Sequence, residues 1–237
     1  MQIEVSIGEG IDKFCILEIK MKYIKDANKG RQILKQKELL RPSVWDYIAN
    51  NFVYYNILIF INEKIWFLKD EIRYTKICDP NFYKLTEELL QYNEKRFRVK
   101  SIFNNLYDSE IIEHKNIKIH ECAIIIETMD IANKRIAELN YLSVEYDFLY
   151  IYASFNIIQF IKTQITNPNI SYKYKNEHDE LKTQSFISKI EEDNKQGELP
   201  YIEIINLRSF HISTDLQKIF YYQPEKPRVP RLSLSSL

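Results

Sequence analysis

Residues 123–153 read AIIIETMDIANKRIAELNYLSVEYDFLYIYA. Ala123 to Ile126, within the stretch 117–127, is a short β-branched run of the kind that forms a strand buried on both faces. Met129 to Leu139 carries helical period, and Phe148 to Ala153 is a second apolar run. Asn156 to Ile165 reads as a helix, and Ile170 to Tyr174 as a third strand after Asn167-Pro168. Strand–helix–strand–helix–strand predicts a small parallel sheet with right-handed crossovers. Tyr201 to Ile205 supplies a fourth strand and Asp215 to Tyr221 a short helix. The polar stretch 175–200 reads as a loop with a short helix. The tail from Gln223, QPEKPRVPRLSLSSL, has the composition of an extended or disordered end.

Upstream of residue 117 the period is helical. Residues 2–5 allow a short edge strand, after which Ser6 and Glu9 have the spacing of a capping box. A helix is expected from there to about Asp26 and a second from Arg31 to Leu40. Arg41-Pro42-Ser43 should break the chain, with Ser43 capping a helix that runs from Val44 to Cys78, where neither Gly nor Pro occurs. Asp79-Pro80 restarts the pattern as N-cap and first helical residue, to about Tyr107. The expected fold is therefore α+β: an antiparallel helical bundle over 1–115, a small Rossmann-like α/β domain over 116–222, and a disordered tail over 223–237.

Composition narrows the function classes. The chain has 237 residues, with 33 basic and 33 acidic side chains. Such balance gives no long-range pull on nucleic acid, so nucleic acid is not an expected partner. Four glycines, Gly8, Gly10, Gly30 and Gly197, are too few and too scattered for a glycine-rich phosphate loop. The most apolar stretch, Phe52 to Leu68, is interrupted by Asn56, Asn62, Glu63 and Lys64, so no membrane span is expected. Three scattered cysteines, Cys15, Cys78 and Cys122, with no signal peptide, read as buried thiols in a reducing, cytoplasmic setting.

Helical wheels select candidate site residues. On the first helix Ile7, Ile11, Phe14 and Met21 share an arc with Glu18 at its centre. On the long helix Tyr55, Asn62, Trp66, Asp70 and Arg73 share a face. On the next, Asn93, Arg96 and Lys100 lie within or beside the apolar arc. Three helices thus bring Glu18, Asn62, Trp66, Asp70, Arg73, Asn93, Arg96 and Lys100 toward one core. The functional reading is a pocket for a small anion. The alternative is a structural ion-pair network that fixes helix register. In the sheet half, a nucleotide would sit beyond the carboxyl ends of the strands, beside Thr128, Asp130, Ser154 and Asn156. Thr128 and Asn156 would offer helix N-termini to phosphate, or serve only as caps. Glu113, His114, His120, Glu121 and Cys122 cluster in sequence without a zinc spacing, and no metal site is expected there.

The N-terminal half resembles a small bacterial family whose members share the motif SxGExIDKxxILEIK. Here it reads Ser6-Ile7-Gly8-Glu9-Gly10-Ile11-Asp12-Lys13-Phe14-Cys15-Ile16-Leu17-Glu18-Ile19-Lys20. A later NxxxWxxxDxxR segment is similar to Asn62, Trp66, Asp70 and Arg73, and NxxRxxxK matches Asn93, Arg96 and Lys100. Lys69 stands where that family usually has an acidic residue. The resemblance covers about residues 2–115 and implies association with glycosyltransferases and surface-polysaccharide genes. The C-terminal half loosely resembles a glycosyltransferase nucleotide-binding lobe. The resemblance implies a protein of glycan assembly binding a nucleotide-sugar or phosphorylated sugar, with Mg²⁺ or Mn²⁺ as the cofactor a nucleotide-sugar calls for. Two readings stand beside it. One is a non-catalytic interaction module, with a glycosyltransferase as a candidate partner; the other is a small-molecule enzyme with an all-helical pocket.

Overall fold

The computed structural model describes residues 4–113, 119–175, 203–213 and 216. The first half is helical: α1 (Ile7–Tyr23), α2 (Ala27–Asn50), α3 (Phe52–Tyr74) and α4 (Pro80–Leu106). Ser6 caps α1 through its side chain, which accepts from the Glu9 amide at 3.1 Å. The Glu9 carboxylate does not serve as the reciprocal half of a capping box; it receives the Lys100 ammonium of α4 at 2.7 Å. Asp79 and Pro80 start α4 as expected, the Asp79 carboxylate accepting from the Asn81 amide.

Several helix boundaries differ from expectation: α2 starts at Ala27 rather than Arg31, and the long helix ends at Tyr74 rather than Cys78. The second helix is not confined to Arg31–Leu40, because α2 runs straight through Arg41, Pro42 and Ser43. Proline removes one backbone donor and crowds the carbonyl four residues back. All three residues are exposed, as is Glu38, so water can satisfy the freed carbonyl. The chain breaks instead at Asn51, whose φ of −137° and ψ of 49° are not helical, so the long helix expected from Val44 begins at Phe52. Glu4 and Val5, the described part of the edge strand expected over 2–5, take no regular structure.

The second half alternates as its sequence does: β1 (Glu121–Ile125), α5 (Met129–Lys134), α6 (Ile136–Glu145), β2 (Phe148–Ser154), α7 (Phe155–Gln164), β3 (Ile170–Lys175) and β4 (Glu203–Asn206). Arg135 divides the single helix expected over Met129–Leu139 into α5 and α6. The four strands are parallel, in the order β3-β2-β1-β4. The short helix expected at Asp215–Tyr221, apart from Leu216, the loop over 176–200 and the tail from Gln223 lie outside the described residues.

Helix α1 is surrounded. Gly8, Gly10, Ile11, Asp12, Phe14, Cys15, Leu17 and Ile19 are all buried, as packing against α2, α3 and α4 together requires. A Cβ on Gly8 would lie 2.4 Å from the Lys100 carbonyl oxygen, and the Gly8 amide donates to Asn104 Oδ1 at 2.7 Å. This glycine lets α1 and α4 meet backbone to backbone. Two clusters of buried apolar side chains result. One joins α1, α2, α3 and α4 with Ala137 and Val144 of α6; the other joins the sheet to Ala132 of α5, to Leu139 and Leu142 of α6 and to α7. Helix α6 thus contributes to both cores.

Candidate functional site

Where α1, α3 and α4 meet, a groove of about 320 Å³ opens between Ile16, Ile19 and Lys20 of α1, Asn62, Ile65, Trp66, Lys69, Asp70 and Arg73 of α3, and Arg96 of α4. Its floor is Asn62, only 4% exposed. The Asn62 amide donates to Asp12 Oδ1 at 2.7 Å and to the Cys15 sulfur at 3.6 Å. Burial raises the Asp12 carboxyl above its usual range, an effect opposed by the Asn62 hydrogen bond and the charges of Arg96 and Lys100. The same burial lifts the Cys15 thiol well above its ordinary value, which makes it inert at neutral pH.

The rim is cationic. Asp70 and Arg73 pair with each other at 3.0 Å, one turn apart and half in water. Lys20, Lys69 and Arg96 make no ion pair among the described residues. Three cations without an ion pair among the described residues therefore line one short stretch of groove. Trp66 forms part of the wall, with its indole stacked on Tyr23 at 6.2 Å between ring centroids.

The sequence-selected residues divide. Asn62, Trp66, Asp70, Arg73 and Arg96 come together in this groove. Glu18 does not: it faces α2 and α3, where Lys37 lies at 2.8 Å and the Tyr55 hydroxyl donates at 2.6 Å. The expected apolar arc is also incomplete, since Met21 is 39% exposed. A single wheel misleads for a helix with three neighbours. Asn93 back-bonds to the Leu89 carbonyl on its own helix. Lys100 is buried away from the groove, held by Glu9 at 2.7 Å and Glu113 at 2.5 Å. Asp12, Lys20 and Lys69 were not selected by the wheels. Lys69 lies three residues beyond Trp66 and seven beyond Asn62, spacings that put it on the same face.

At the sheet, strand order reverses between β1 and β4, so the crevice such folds use lies there rather than after β2. Thr128 follows β1 and caps α5 by accepting from the Ile131 amide at 3.3 Å. Asp130 is exposed and paired with Lys134 at 2.9 Å. Ser154 holds the N-cap position of α7 without a side-chain cap bond, and with Asn156 lies beyond β2, away from the reversal. The group beside the reversal is the Glu127 carboxylate, with Arg208 at 3.8 Å and the Asn206 amide donating at 3.5 Å. A fixed carboxylate opposes phosphate at that point. Among the described residues no three His, Cys, Asp or Glu side chains gather to hold a metal ion. His114 lies outside them, and His120 is instead a neighbour of Arg98 and Asp147.

Cys15 and Cys122 are buried, whereas Cys78 is exposed at the α3–α4 turn, contrary to the expectation of three buried thiols. Among the described residues no helix is long and apolar enough to cross a membrane. Comparisons with protein-family models, with curated proteins and with solved structures gave no match.

Proposed function

We propose that the α1–α3–α4 groove binds the phosphate of a small phosphorylated sugar, and that the protein acts in glycan assembly. The observation that carries this reading is the convergence of Lys20, Lys69 and Arg96, each without an ion-pair partner among the described residues, on one groove beside Trp66. Uncommitted cations on separate helices repel one another, a cost a bound anion relieves. Arg96 adds a planar fork suited to two phosphate oxygens. At about 320 Å³ the groove is at the small end of ligand sites, which run from about 300 to 1,000 Å³. A monosaccharide phosphate suits that size better than a whole nucleotide-sugar. The glycan-assembly setting comes from the resemblance of the Ser6–Lys20 motif. In the same reading α1–α4 are an antiparallel bundle that carries the groove, and the sheet is a Rossmann-like support for it. Binding rather than turnover fits the lining, whose one carboxylate among the described residues, Asp70, is already engaged by Arg73.

Thermal denaturation with glucose 1-phosphate, inorganic phosphate, uridine diphosphate-glucose and uridine diphosphate with Mg²⁺ or Mn²⁺ tests this. Ligand at 100 times its dissociation constant adds about 2.7 kcal/mol, a shift of several degrees. The largest shift is expected from the sugar phosphate, falling as salt screens the groove. A flat response to every ligand rejects the reading.

One observation favours a second reading, an interaction module. Around the α3–α4 turn Tyr74, Ile77 and Tyr83 are 84%, 72% and 69% exposed, which is unusual for large apolar side chains so close in sequence. Under that reading, Tyr74→Ser with Ile77→Ser removes partner binding and leaves the melting temperature unchanged.

A further inference from the structure

The amide of Asn62 has a fixed direction. Both hydrogens of its nitrogen are used, one by Asp12 Oδ1 at 2.7 Å and one by the Cys15 sulfur at 3.6 Å. Asp12 Oδ1 accepts from that nitrogen, so the Asp12 side of the amide is taken by the nitrogen and not by the oxygen. With the nitrogen taken by Asp12 and Cys15, the carbonyl is the polar atom Asn62 has left to offer the groove it lines, and it accepts no hydrogen bond among the described residues. Asn62 is only 4% exposed, so its side chain is held by its surroundings at the floor of the groove. An acceptor of this kind, set among cations that bind oxyanions, recognises a donor attached to the anion. The cations take the phosphate; the floor takes a hydroxyl.

We infer that Asn62 is the specificity-determining residue of the groove, reading a ligand hydroxyl near the phosphate, and that Asp12 is the positioning residue that fixes its carbonyl inward. The inference rests on the anion-binding reading and narrows it: a polyol phosphate is accepted, and a phosphate ester of the same shape without hydroxyls is not. Asp12 is also buried, at 3% exposure, with its carboxylate behind Asn62 rather than in the groove. It therefore acts on selectivity without touching ligand. A site built to hydrogen-bond a hydroxyl discriminates against the analogue lacking it, because the buried carbonyl is then left without a donor.

Calorimetric titration of the full chain with glucose 1-phosphate and with cyclohexyl phosphate tests this, since both carry a six-membered ring and one phosphate. The wild type is expected to bind glucose 1-phosphate at least tenfold more tightly. In Asp12→Leu the preference should collapse toward unity while cyclohexyl phosphate binds as before, an outcome that a merely structural role for Asp12 does not give. Because Asn62→Leu alone strands Asp12, the double variant Asp12→Leu/Asn62→Leu is the safer partner experiment, and it too should bind both esters alike. Equal binding of the two esters by the wild type overturns the inference and leaves the anion groove standing. Retention of the preference in the folded double variant overturns it as well. Failure of both esters to bind the wild type overturns the inference together with the reading beneath it.

Discussion

Asp12 is a carboxylate inside a helical core, and burial disfavours its charged form enough to raise its pKa. A raised folded-state value means that Asp12 favours folding fully only below the unfolded value, about 3.8, and that this contribution is lost as pH rises through the folded value. Asp12→Asn cannot ionise. Urea melts of the two proteins across acidic pH should therefore show the wild type losing ground to the variant as pH rises; a gap that moves the other way contradicts the burial argument. The groups facing Asp12 are Asn62, Arg96, Lys100 and Glu9. Arg96 acts on it through space alone, while Glu18 is satisfied by Lys37 and Tyr55, and Asp70 by Arg73. Arg96→Met should thus cost no more than about 1 kcal/mol, the scale of an exposed charge contact. A loss of 3–5 kcal/mol, the scale of a broken buried pair, shows instead that Arg96 is structural. Half of this site was legible in the sequence. Asn62, Trp66, Asp70 and Arg73 share a face by spacing alone, and Lys69 could have been found by the same rule. Asp12 could not, because a wheel locates a polar residue relative to one neighbour and α1 has three.

Among the elements, α1 and α2 make the sharpest claims. Gly8→Ala gains about 1 kcal/mol of helix propensity, but its Cβ would meet the Lys100 backbone oxygen at 2.4 Å, a neighbour that cannot rotate away. Overpacking of that kind costs about 1–3 kcal/mol, so a net loss in melting temperature is expected. An unchanged or higher melting temperature contradicts the close approach of α1 to α4. Pro42 lies inside α2 on an exposed turn. Pro42→Ala restores a donor and should stabilise the protein by about 1–3 kcal/mol, read by denaturant titration. Destabilisation places the helix break at Pro42 after all. The strands and the start of α4 were legible because β-branched runs and Asp79-Pro80 are local signals. The break at Asn51 was not. Proline's penalty is local, but whether a helix tolerates it depends on solvent at Glu38, which is a property of the packed structure.

Across the whole molecule, Arg98 ties the helical half to the sheet. Its guanidinium, 5% exposed, donates to Asp147 Oδ1 at 2.9 Å just before β2, and Asp147 Oδ2 accepts from the His120 amide at 2.9 Å. Arg98→Met strands that carboxylate and should cost about 3–5 kcal/mol. Because α6 serves both cores, unfolding of the wild type should be one cooperative transition by circular dichroism and fluorescence alike, and two separated transitions would contradict a shared α6. Alternation of strand and helix showed in the sequence that the second half is a parallel sheet. It did not show the order β3-β2-β1-β4, which depends on where a long connection returns. The crevice therefore fell beside Glu127 rather than beside Ser154 and Asn156. Trp66 lines the groove of the helical half and reports directly on anion binding there. The chain has two tryptophans, so Trp45→Phe leaves Trp66 as the sole indole. Its fluorescence should change saturably as glucose 1-phosphate is added, less so at high salt, and not at all in Trp45→Phe/Arg96→Met that still folds. A signal that stays flat to millimolar sugar phosphate, or one that persists unchanged without Arg96, contradicts the account.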